Sequence, residues 1–262
     1  GGNFHTTVES DMAAYKALPC NKSTGTDEIP AEVLVAGGEP LAHIMRPVHE
    51  KIEEQCQMPI RWKGGRIADL YKQKGDSQLC SNSRGLLVSD HLAKGCIGQL
   101  KGNVDEQYCR NMPESQFGAV KNGGTDYAHH LVLTSIDYAR LAAQSIFILF
   151  LDLEKAYDRI IRELVIGWPQ DVRAGGRAYL ESLGLHPDTV EWILGYISKV
   201  GPVFHQWGID EKVIALINPL HTHSWFCYDD LETVISTYTG GRQGCKLGGT
   251  MLTGAVLDAG LG

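Results

Sequence analysis

The chain has 262 residues, 43% hydrophobic and 21% charged, with a formal net charge of −7. That is ordinary globular composition, long enough to bury a substantial core and to form one large domain or two smaller ones. No apolar run approaches the roughly 18 residues of a membrane span, the start has no signal-peptide pattern, and the acidic balance runs against binding nucleic acid through bulk charge alone.

Cationic residues nevertheless gather locally. Arg61, Lys63, Arg66, Lys72 and Lys74 fall in one short stretch, with Arg84 and Lys94 following. This pattern predicts a basic surface on an acidic chain. The seven cysteines are dispersed and none has C-x-x-C spacing. That argues against a zinc site and for reduced thiols inside a cell.

In chain order, a short helix is expected around Asp11–Leu18. Asn21–Asp27 reads as a loop rich in turn formers. Pro30 opens a helix that Gly37-Gly38 should end, and a second helix follows from about Pro40, bent near Pro47. Arg66–Tyr71 and Gly85–Val88 are candidate strands joined by a polar tip at Lys72–Asp76. Leu92–Leu100 has no decisive pattern. Gly118–Gly124 is a loop, and Thr125 or Asp126 can cap a helix running to about Ala143.

Ile146-Phe-Ile-Leu-Phe-Leu151 is rich in β-branched and aromatic types and reads as a central buried strand ending at Asp152. Lys155–Val165, His186–Ser198 and Val213–Leu220 read as helices. Ser224–Cys227 and Thr233–Tyr238 read as strands around a polar turn at Tyr228-Asp229-Asp230, and the segment from Gly248 onward as a helix. The fold class is therefore α+β.

A carboxylate at the mouth of a buried strand is costly unless hydrated, paired or bound to a cation. Asp152 is thus a candidate ligand for Mg²⁺, a hard ion that prefers oxygen. On the local pattern alone it also reads as the cap of the helix beginning near Lys155. His129-His130 and His221-x-His223 lack metal-site companions, and there is no phosphate loop of the G-x-x-x-x-G-K-S/T kind.

Five segments, taken in order, carry a resemblance. They are Lys22-Ser-Thr-Gly-Thr-Asp-Glu-Ile-Pro-Ala-Glu32, then Leu70-Tyr-Lys-Gln-Lys-Gly-Asp76 with Ser81-Asn-Ser-Arg-Gly85, then Glu114-Ser-Gln-Phe-Gly118, then Phe150-Leu-Asp-Leu-Glu-Lys-Ala-Tyr-Asp158, and finally Gly241-Arg-Gln-Gly-Cys-Lys-Leu247. Together they resemble the reverse transcriptases of non-LTR, LINE-like retrotransposons. The resemblance implies a right-hand polymerase with an antiparallel palm sheet packed on helices. Fingers would occupy residues 1–115 and a partial palm 116–262, with a fingers-side insertion at about 167–235.

The implied function is RNA-directed DNA synthesis by nucleotidyl transfer on two Mg²⁺ ions, using an RNA template, a DNA primer and dNTPs. Asp152 would be the catalytic carboxylate, with the Leu153 carbonyl as a further metal ligand. Tyr157 would be the steric gate under the incoming sugar, although it also reads as a core aromatic. Lys72 or Lys74, with Arg84, would hold the triphosphate, since a guanidinium fork pairs phosphate oxygens bidentately. Gln243 would contact the nucleotide, and Gly244 would let the backbone approach it.

The pattern is also incomplete. Tyr228-Asp229-Asp230 precedes Arg242-Gln-Gly and lacks an intervening residue, so it does not match the family's Y/F-x-D-D hairpin. That hairpin belongs beyond Cys245 and does not occur before Gly262, where Lys246 also replaces the motif's usual Pro. Little or no polymerase activity is therefore expected from these residues in isolation. The alternative is a truncated, inactive descendant that serves as a structural or protein-interaction subunit.

Overall fold

A computed structural model describes residues 4–120, 122–168, 176–228 and 233–258. Helix α1 spans Val8–Lys16, capped by Thr7, whose hydroxyl accepts from the Ser10 N–H in a reciprocal capping box. Helix α2 spans Ala31–Gln55, and the helix end expected at Gly37-Gly38 is a kink within it. Gly38 has φ 46° and ψ −130°, so two helical stretches meet there. Strand β1 (Gly64–Tyr71) and strand β2 (Ser83–Val88) form the expected antiparallel hairpin.

Helix α3 then runs from His91 to Asn111, with Asp90 at the N-cap position but making no side-chain cap bond. Its glycines lower helix propensity and blur its pattern. Burial of Ala93, Ile97, Leu100, Val104 and Tyr108 along one face outweighs that cost. Helix α4 covers Thr125–Leu141. The short helices α5 (Arg162–Val165) and α6 (Gly176–Ser182) follow, then α7 (Pro187–Lys199) with Pro187 in its first turn. Helices α8 (Val203–Gln206) and α9 (Glu211–His221) lead to strands β3 (Ser224–Cys227) and β4 (Ile235–Thr237), and α10 (Gly248–Asp258) comes last. Asp229 and Asp230 of the expected turn lie outside the described residues.

The strands make one mixed sheet, ordered β2-β1-β3-β4. Gly64–Arg66 pairs in parallel with Trp225–Cys227, and β3 pairs antiparallel with β4. The largest apolar cluster joins α3 and α9 to Phe204, Val165, Leu247 and Met251. A second cluster seals α1 on α2 around Tyr15 and Leu34, and a third seals α6 on α7 around Leu180 and Ile193. All seven cysteines are free thiols. Among the described residues no helix is long and apolar enough to cross a membrane.

Two expectations are corrected. Ile146–Leu151 is not a buried strand: it forms no ladder, and Phe147 and Phe150 are 86% and 82% exposed. Apolar content suits a strand, but a strand exists only where neighbours supply its hydrogen bonds, and the sheet is built from other segments. Lys155–Val165 is not one helix either. A 3₁₀ turn at Ala156–Arg159 is separated from α5 by extended backbone at Ile160 and Ile161. The carbonyls of Tyr157 and Ile160 accept from the N–H groups of Gly241 and Gly240, at 2.5 and 2.9 Å, instead of from the helix.

Candidate functional site

Residues far apart in sequence converge on the turn Gly240–Gly248. Gly240 has φ +81°, and a β-carbon there would lie 2.8 Å from the Asp158 carbonyl oxygen. The turn is clipped from below by Arg162. Its Nε donates to the Gly240 carbonyl at 2.6 Å, and its other nitrogens donate to the carbonyls of His221 (2.5 Å) and Thr239 (2.8 Å) and to Thr237 Oγ1 (3.1 Å). Burial lowers the Arg162 pKa to about 10, opposed by neighbouring Glu163. Arg162 was not among the residues singled out from the sequence. An arginine in an apolar run (Ile160-Ile-Arg-Glu-Leu-Val165) was the only signal available.

The turn also meets two expected site elements. The Tyr157 ring packs under it, since β-carbons at Gly248 and Gly241 would lie 3.3 and 3.7 Å from ring carbons. The Gln243 carbonyl accepts from the Leu87 N–H of β2 at 2.8 Å. Gly244 has φ +104°, and a β-carbon there would sit 2.5 Å from the Leu87 carbonyl oxygen and 3.2 Å from Leu86 Cδ1. So the close approach that Gly244 permits is to β2 itself. Leu86 and Arg84 are two residues apart on a strand and share a face. Arg84 therefore projects, exposed, from the same side of β2 as the Gly244 turn.

Arg242, by contrast, points inward. It is buried and donates to the Trp62 carbonyl at 3.2 Å and to Cys245 Sγ at 3.7 Å. Beside it, burial first and then the charges of Arg242 and Arg162 hold the His221 pKa well below the usual imidazole value.

The hairpin tip separates Lys72 from Lys74. Lys72 Nζ donates to the Ser81 carbonyl at 2.8 Å and its N–H to the Asn82 carbonyl, so it closes the tip. Lys74 is exposed beyond it. The basic stretch is only partly a surface for ligands. Arg61 and Arg66 donate to the carbonyls of Thr26 and Thr24, at 3.0 and 3.1 Å, and so fasten the Asn21–Asp27 loop.

Asp152 and Leu153 stand apart from this convergence. Both are exposed just after the apolar run, and Asp152 caps no helix: the 3₁₀ turn after it spans Ala156–Arg159, with Lys155 at its N-cap and φ +51° there. Among the described residues no group of three or more His, Cys, Asp or Glu side chains comes together at metal-binding range. A lone carboxylate does not make a site for Mg²⁺, which binds through carboxylates together with substrate phosphates and retained waters.

The fold and site define a mixed α+β protein in which a glycine-rich turn is locked between a strand edge and an aromatic ring. Compared with protein-family models and with curated proteins, the chain matches none.

Proposed function

We propose that the chain is the fingers and partial palm of a reverse-transcriptase-like polymerase, and that its retained task is binding a dNTP against an RNA–DNA primer–template. The observation that carries this reading is the convergence of Tyr157, the Gln243-Gly244 turn and the Arg84 face of β2. These are the segments that the resemblance assigns to the sugar, to contact with the nucleotide and to the triphosphate. Their meeting from three distant stretches of chain supports a common ligand.

In this reading residues 1–115 are fingers and 116–262 are partial palm. The segment at about 167–235 returns β3 to the fingers sheet beside β1. Arg84 and Lys74 hold phosphate oxygens, and Lys72 keeps the hairpin tip closed. Tyr157 limits access at the sugar. The resemblance would put Asp152 and the Leu153 carbonyl at a Mg²⁺ site, which these residues by themselves do not form.

One observation favours the second reading, a non-catalytic subunit that works through a protein partner. Among the described residues Asp152 belongs to no group of three or more potential metal ligands, and it follows a run whose phenylalanines are exposed. Two measurements separate the readings. Titration with a fluorescent dNTP should give binding that Arg84→Gln and Gln243→Ala weaken. Primer extension on an RNA template, with Asp152→Ala as control, tests the chemistry. Binding without extension leaves a nucleotide-binding, inactive chain. Absence of both removes the polymerase reading.

A further inference from the structure

We propose that Lys94, Lys101 and Lys246 form a phosphate-binding site along one face of α3. Lys94, Gly98 and Lys101 recur at helical spacing and share that face, with about 10.5 Å of axis between the first and last. Lys246, in the turn before α10, reaches across to the middle of the row. A β-carbon at Gly98 would lie 2.7 Å from Lys246 Nζ and 3.6 Å from its Cδ. Gly98 is thus the gap into which the Lys246 ammonium folds.

The ordinary fate of a surface lysine is to extend its amine into water. Here all three side chains are half-buried. Lys246 makes no hydrogen bond or ion pair with any described residue, while Lys101 is paired with Asp105. Lys94 faces Asp90 and Asp27 as well as Lys246. Asp90 is already engaged by Arg61 at 3.5 Å, by the Thr26 hydroxyl and by the Asp27 N–H. Burial holds both the Lys94 and the Lys246 amines below the usual lysine range; Asp90 pulls Lys94 back up and Lys246 lowers it in turn, while Lys101 adds to the lowering of Lys246.

Cations drawn partly out of water and set against one another are stabilised by a multivalent anion that bridges them. Ammonium groups bind phosphate as point charges. A strand with a rise of roughly 3.4 Å per nucleotide would span the row in about three nucleotides. A free polyphosphate offers the same oxygens. The site stands on its own geometry: it lies on the α3 side of the turn at Cys245–Leu247, and Lys246 is the residue that replaces the Pro of the resembled motif.

The test uses the full chain with two probes, a labelled single-stranded RNA followed by anisotropy across a salt series, and pyrophosphate followed by calorimetry. Lys246→Gln should weaken binding severalfold and flatten the RNA salt dependence by about 0.7 in log–log slope, the share of one phosphate contact on a single strand. Gly98→Ala keeps every charge and improves helix propensity, yet displaces the Lys246 amine. It should weaken binding likewise while melting no lower than wild type. Loss with RNA alone identifies a nucleic-acid strand as the source of the phosphates, and loss with pyrophosphate alone identifies free polyphosphate. Unchanged affinity and slope for both probes in Lys246→Gln and Lys94→Gln, or no binding of either probe by wild type, overturns the site. A dNTP affinity that still responds to Arg84→Gln would then leave the nucleotide reading standing.

Discussion

The Gln243 carbonyl accepts the Leu87 N–H at 2.8 Å, joining a turn near the end of the chain to the strand that carries Arg84. Gly244, next in sequence, makes the contact possible. Its φ of +104° and the 2.5 Å that would separate a β-carbon from the Leu87 oxygen exclude any side chain without movement. Gly244→Ala should therefore destabilise the fold by about 1–3 kcal/mol, the usual cost of a residue held in such backbone. Urea denaturation measures the loss. Gly102→Ala is the control, because Gly102, inside α3, has neither a positive φ nor a neighbour within 4 Å of an added β-carbon, and Ala favours the helix.

Arg162 holds the other side of the same turn. It satisfies the carbonyls of His221, Thr239 and Gly240, none of which it can satisfy once truncated. Arg162→Met should cost at least about 3 kcal/mol, since hydrogen bonds to a charged donor contribute about 1.5–3 kcal/mol each and the stranded carbonyls add to the loss. Arg162→Lys, with one amine in place of a planar fork, should recover only part of it. Equilibrium unfolding of the two variants gives the comparison.

His221 makes stability fall in acid. Buried between Arg162 and Arg242, it stays neutral in the folded chain while the unfolded chain takes up a proton near the ordinary pKa of about 6.5. The unfolded state then binds more protons below that pH, so stability declines as pH drops through it, by up to about 1.4 kcal/mol per unit. His221→Leu should flatten the dependence between pH 6.5 and pH 5.5 in urea melts. An unaltered slope would show that His221 is not the group responsible.

Tyr157 is held by Gly241 and Gly248. If it gates the sugar, Tyr157→Val should raise affinity for a ribonucleotide relative to its deoxy counterpart severalfold and leave the fold intact. A change in both affinities by the same factor would mark the ring as packing alone.

The run Ile146–Leu151 exposes Phe147 and Phe150. Replacing both with Ser should reduce binding of an apolar dye such as ANS and lower aggregation, with stability changed by less than about 0.5 kcal/mol, as for surface substitutions. A large destabilisation would mean that these rings are covered in solution.

Much of the local structure was legible in the sequence. Turn formers bounded the β1–β2 hairpin, Pro187 opened α7, and the glycine pair kinked α2. These signals are local and act within a few residues. Helix α3 was not legible, because its glycines weaken the local preference and burial against α1, α9 and α2 compensates.

Asp152 shows the division most clearly. By itself the sequence determined an apolar run ending in a carboxylate, with a tyrosine five residues on. Tertiary structure alone decided that the run pairs with no strand, that the carboxylate stands in solvent outside any cluster of three or more potential metal ligands among the described residues, and that Tyr157 is instead drawn under the Gly240–Gly248 turn. The reason is physical. A strand and a metal site both need partners from elsewhere in space, which no stretch of residues specifies alone, whereas the turn finds its partners in the carbonyls of Tyr157 and Ile160 and in Arg162.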